Sequence, residues 1–166
     1  MAKLQSLSVI ALLCFISAVA VVVHAHTREE FTVEGRVYCD TCRAGFVTTV
    51  TEFVPDAKVK IECHNRTTNK LTLEREGVTD ASGTYRIMVP NDHEDDICEV
   101  VLVSSPMEGC KEAKKPINRA RILLTNNNGI SSEIRYANPL GFLKDKPLPC
   151  CAELLVKYIM SDEATF

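Results

Sequence analysis

What most constrains this chain is its cysteines, eight in 166 residues, because the compartment it reaches decides whether they staple it. Lys3 precedes an apolar run from Val9 to Val23, and Val23-His24-Ala25 presents small residues where a signal peptidase cuts. That pattern reads as a signal peptide over residues 1–25. The run is shorter than the ~20 apolar residues of a spanning helix, and Thr27-Arg28-Glu29-Glu30 follows it in place of a stop-transfer segment. Cys14 leaves with the leader. Cys39, Cys42, Cys63, Cys98, Cys110, Cys150 and Cys151 then enter an oxidising compartment, where they are expected to pair with one left over. Any six of them allow fifteen connectivities, and spacing alone does not choose.

Residues 26–166 are long enough for one domain with a genuine core, and one domain is the expectation. The net charge is -3, and Lys and Arg are scattered along the chain. Nucleic acid is therefore not an expected partner, since binding it needs a concentrated basic patch. No later apolar stretch matches the leader in length, so no membrane insertion is expected after cleavage.

Beyond the leader, apolar residues recur at every second position. Phe31, Val33, Val37 and Cys39 alternate with polar neighbours, as do Ala57, Val59, Ile61 and Cys63, and both runs read as half-buried strands. A third strand from Leu71 to Val78 and a fourth through Tyr85, Ile87 and Val89 flank Asp80-Ala81-Ser82-Gly83, which predicts a hairpin. Ile97 to Val103 is apolar on both faces and reads as a strand covered on two sides. Ala120, Ile122 and Leu124 form another face, and Asn128-Gly129 predicts a second hairpin leading to Ile130, Ile134 and Tyr136. About seven strands without intervening helical period predict a mainly β fold, an antiparallel barrel or sandwich. After Pro149, the spacing of Leu154, Leu155, Tyr158 and Ile159 predicts a short C-terminal helix packed on the sheet, with a polar tail beyond it.

Each motif with chemical potential has a plainer reading beside it. Cys39-Asp40-Thr41-Cys42 has a spacing used for zinc and for thiol exchange. Zinc would want another close Cys or His pair, whereas His64 and His93 each stand alone, and a thioredoxin-type site would want a βαβ unit. The favoured reading is two staples to different strands. Asn91 to Asp96 gathers oxygen donors without a glycine-punctuated calcium loop, and reads as a solvated connection. No nucleophile elbow, phosphate-cradling glycine loop or His-Glu-x-x-His helix is present. The chain is expected to have no catalytic residues, cofactor or metal. Asn65-Arg66-Thr67 is its single glycosylation sequon.

The segments Glu34 to Arg43, Val78 to Tyr85, Asp96 to Val100 and Ala137 to Phe142 together resemble the signature of the pollen Ole e I allergen and extensin family. The resemblance spans essentially all of the mature chain and is strongest towards anther and pollen-tube members. It implies a barrel-like β fold with three disulfides, carried over as Cys39–Cys110, Cys42–Cys151 and Cys63–Cys98. Cys151, followed by Ala152, fits the family position, which leaves Cys150 as the odd thiol. The resemblance implies a secreted protein of the extracellular space, acting in pollen hydration, germination or tube growth. Its partner would be a receptor-kinase ectodomain or a cell-wall polymer. A rival expectation is a carrier of a small apolar ligand held in a barrel pocket.

Overall fold

The computed structural model describes residues 30–163, and the signal-peptide reading falls outside them. Along that span run nine strands and one helix: β1 (Glu30–Asp40), β2 (Glu52–Phe53), β3 (Lys58–Asn65), β4 (Leu71–Val78), β5 (Thr84–Pro90), β6 (Asp96–Ser104), β7 (Arg119–Ile122), β8 (Ile134–Tyr136), β9 (Leu140–Leu143) and α1 (Cys151–Glu163). The strands form two sheets, and the expected β-sandwich with a short C-terminal helix is what the chain builds.

β1 is the hub of one sheet. β5 pairs antiparallel with its first part, from Glu30↔Pro90 to Arg36↔Thr84, and β2 with its end. On its other edge β8 and β9 run parallel to it. The second sheet is antiparallel throughout, in the order β4-β3-β6-β7. Alternation decides which side chains enter the sandwich. Phe31, Val33 and Val37 from β1, Val59 and Ile61 from β3, and Tyr85, Ile87 and Val89 from β5 are buried in one continuous core. Phe142 and Leu140 from β9 complete it, so the side chains that would line a barrel pocket fill the space between the sheets.

Both expected hairpins turn out to be crossings between sheets. The Asp80–Gly83 turn is real: Asp80 Oδ1 accepts hydrogen bonds from Ser82 and Thr84 N–H, and Gly83 has φ +72°. Yet β4 pairs with β3 and β5 with β1. The reason lies at Gly77, where a Cβ would strike the Ile87 side chain. The two strands meet face to face across the core at that point instead of edge to edge. Buried Thr79 fixes the corner, donating to Val54 O at 2.6 Å and accepting from Ala57 N–H.

The Asn128-Gly129 turn is likewise present, with Gly129 at φ +76°, but β7 joins β6 while β8 crosses over to β1. Its alternation is the reverse of the expected one. Ile134 and Tyr136 face out and Arg135 faces in, at 3% exposure. β6 is covered on both faces only from Val100 to Leu102, and Val103 is exposed.

Candidate interaction surface

The Cys39-to-Cys42 turn ends β1, and its two inner residues act as brackets. Asp40 is fully buried, and its carboxylate accepts the N–H groups of Ala44 at 3.0 Å and Gly45 at 2.7 Å. Thr41, equally buried, donates its hydroxyl to Val50 O. Arg43, with φ +53°, donates to Lys144 O at 2.7 Å and pairs with Glu112, whose carboxyl it holds below the usual range. Together these contacts tie the 43–50 loop and the approach to α1 onto the end of the sandwich.

The two cysteines of the turn leave it in different directions. Cys39 is bridged to Cys110 and Cys42 to Cys151, while Cys63 is bridged to Cys98 within the second sheet. Cys150 is a free, exposed thiol. With each sulfur committed to a distant partner, the turn presents no dithiol to a metal or a substrate.

The helix that Cys151 anchors departs from expectation. It lies against the 43–50 loop and not along a sheet, because its bridge fastens it to Cys42, past the end of β1. Leu154, Leu155 and Tyr158 are half-buried, and the Tyr158 ring meets Phe46 edge-on with centroids 5.6 Å apart. Val156, Ile159 and Met160 stay 53%, 63% and 66% exposed; Phe46, which lines a cleft with Ile159, is exposed as well, as is Val47 after it in the loop. Clefts of about 390 Å³ and 270 Å³ open between helix and loop. The helical period of residues 154–159 is legible in the sequence, but the part played by Phe46 and Val47 is not, since they lie in an irregular segment without period.

The acidic 91–96 loop is spent on internal bonds. Asp92 accepts from the Thr125 hydroxyl and Asn126 N–H, and Glu94 accepts from Asn127 Nδ2 at 2.6 Å. Asp96 accepts from Thr72 and pairs with His93 Nδ1 at 2.9 Å. Burial works to raise the Asp96 pKa, but those two hydrogen bonds outweigh it and hold the carboxyl below its ordinary value. The fold also brings together what the sequence keeps apart: His93 stands beside the Cys63–Cys98 bridge, its ring nitrogen within 4.8 Å of both sulfurs. As a disulfide, those sulfurs offer no thiolate to a metal.

Asn65 ends β3 at an exposed turn, where its Oδ1 accepts from Thr67 and Thr68 N–H. The strongly perturbed phenols belong to the core. Tyr38 is pushed up to about 12 by burial and the nearby Asp40 charge, and Tyr85 is pushed up by burial alone.

The family model described as "Pollen protein Ole e 1 like" matches residues 29–159. Pollen-specific protein C13 of Zea mays is 55% identical over 81% of this chain and 78% of its own length. Anther-specific protein LAT52 of Solanum lycopersicum is 46% identical, covering 88% of this chain and 91% of its own length. The crystal structure of the major plantain pollen allergen Pla l 1 superposes with a TM-score of 0.65 at 31% identity, over 72% of this chain and 98% of that one.

Proposed function

The chain belongs to the pollen Ole e 1-like family, and from that premise we propose that it is a secreted, non-enzymatic protein that works by binding an extracellular partner. The apolar face of α1 carries this reading. Val156, Ile159 and Met160 project from a helix that a disulfide holds in place, with Phe46 alongside. An exposed apolar patch with a rigid backing is what a protein interface needs, since pre-ordering lowers the entropy cost of docking. Export is supported by the leader-like residues 1–25 and by six cysteines paired in three bridges. The partner is an extracellular protein, with a receptor-kinase ectodomain as the first candidate and a cell-wall polymer as the second. The same reading places a glycan on Asn65, whose sequon opens an exposed turn.

Immobilised oxidised protein, challenged in parallel with plant receptor-kinase ectodomains and with cell-wall polymers, tests the reading. It predicts saturable binding that falls at least about tenfold in Ile159→Asp, the loss typical of a central apolar anchor. If neither class binds, or if Ile159→Asp binds as the parent does, the helix face is not the working surface.

A further inference from the structure

Of the three bridges, Cys63–Cys98 has a third metal-type ligand set against it. A ring nitrogen of His93 is within 4.8 Å of both sulfurs, and no other three such ligands gather so closely among the described residues. The ligands arrive from β3, β6 and the 91–96 loop, which is why no spacing in the sequence announces them. Cys63 and Cys98 are buried, while Asp92 and Glu94 on either side of His93 are exposed. The cluster therefore sits just beneath the surface of that loop.

Two features prepare these side chains for a metal. β3 and β6 are interior strands, and Cys63↔Cys98 is one rung of the ladder between them, with Leu73 on β4 opposite Cys63 and Ile122 on β7 opposite Cys98. Opening the S–S bond leaves both sulfurs where the ladder holds them. The imidazole is held as well. Asp96 Oδ2 stands 2.9 Å from Nδ1 and Pro90 O 3.2 Å from Nε2, and the Thr72 hydroxyl donates to Asp96 at 2.7 Å. Whichever nitrogen gives its lone pair to a metal, the other keeps an acceptor for its proton, the arrangement that orients metal-bound histidines.

We propose that this pair has a second state, in which a dithiol reductant has opened the bridge and the thiolates of Cys63 and Cys98, with His93, hold a zinc-type divalent ion. The dithiol supplies two electrons and two protons and leaves as a cyclic disulfide. Each cysteine then sheds its proton as it binds the metal. The ligand set fixes the class of ion. Thiolate and imidazole suit zinc-like ions, whereas hard cations such as calcium and magnesium take oxygen ligands. A divalent charge also cancels the two thiolates, which matters in a buried site, because any charge left over forfeits its hydration. Bonds of about 2.3 Å to sulfur and about 2.0–2.1 Å to nitrogen set the three ligand atoms roughly 3.5–4 Å apart, a modest contraction of the present cluster. The fourth position stays open to water. The cluster shares no residue with the α1 face, so this proposal stands apart from the partner-binding reading and either can fail alone.

The test uses the full chain, reduced with a phosphine so that no added thiol competes, and titrated with Co²⁺ and then Zn²⁺. Expected are a thiolate-to-cobalt charge-transfer band in the near ultraviolet that zinc removes, and amide shifts centred on residues 63, 93 and 98. Oxidised protein should show neither. Cys63→Ser/Cys98→Ser abolishes the band, whereas Cys42→Ala/Cys151→Ala and Cys150→Ser keep it, which separates the site from the other thiols. Asp96→Asn, which loosens the imidazole, weakens zinc affinity about 10–100-fold, and His93→Gln weakens it at least as much. Amide exchange on the reduced chain should show β3 and β6 still protected, the sign that the ladder stands without its bridge. The proposal is overturned if the reduced chain takes up no cobalt, if His93→Gln binds zinc as tightly as the parent, or if reduction strips protection from β3 and β6.

Discussion

Two of the disulfides do opposite work. Cys63 and Cys98 face each other directly across the β3–β6 ladder, so their bridge joins residues that backbone pairing already holds together. Cys42 and Cys151 join the end of β1 to a helix that lies along neither sheet and leans on a single irregular loop. The sequence separations of 35 and 109 would make both bridges worth roughly 4 to 5 kcal/mol by loop-closure entropy, since that cost grows only with the logarithm of loop length. What differs is the native side. The sandwich body has a ladder and a core without its bridge, whereas the helical cap has little else, and that contrast separates the part that gives stability from the part proposed as the docking surface.

The largest break in the body should come from Cys39→Ala/Cys110→Ala. Both residues are fully buried in the core, so the pair loses its cross-link and its packing together. Denaturant unfolding without reductant should show a loss of about 4–5 kcal/mol. A smaller break comes from Gly35→Ala, because Gly35 pairs with Tyr85 and an added Cβ would collide with the Tyr85 phenol. Overpacking of that kind costs about 1–3 kcal/mol. The Tyr85 hydroxyl has no hydrogen-bond partner, so Tyr85→Phe should be close to neutral and should relieve part of the Gly35→Ala loss. A double-mutant cycle in urea measures that coupling.

Acid acts on the body more gently. Asp96 has a folded pKa below its ordinary 3.8, so its contribution to stability is complete above that value and disappears as pH falls through the folded pKa. The slope of stability against pH in this acid window should flatten in Asp96→Asn, which leaves the Arg43–Glu112 pair beneath the cap intact. The smallest expected effect is in the cap itself. Phe46→Ala removes the edge-on contact with Tyr158, worth about 0.5–1.5 kcal/mol, and should loosen α1 with no change in the unfolding midpoint of the sandwich.

Much of the body is legible in the sequence, for a physical reason. β1, β3 and β5 each bury one face, and a half-buried strand writes its period into the chain. The turns at Asp80–Gly83 and Asn128-Gly129 are legible too, but a turn signal says that the chain reverses and not which sheet receives it. Gly77 against Ile87 is a contact between faces, and nothing local announces it. The inversion at Arg135 escaped for the same reason, since the parallel partnership of β8 with β1 sets which face points inward. Spacing alone could not have paired the cysteines, and the helix was readable as a helix while its resting place was not.

Amide hydrogen exchange on oxidised protein, parent against Cys42→Ala/Cys151→Ala, is the direct test of the division between body and cap. The account predicts that amides from Glu153 to Met160 lose their protection while those of β3 and β6 keep theirs. Protection retained throughout α1, or lost across β3 and β6 together with it, would contradict the claim that covalent attachment is what holds the helix to the sandwich.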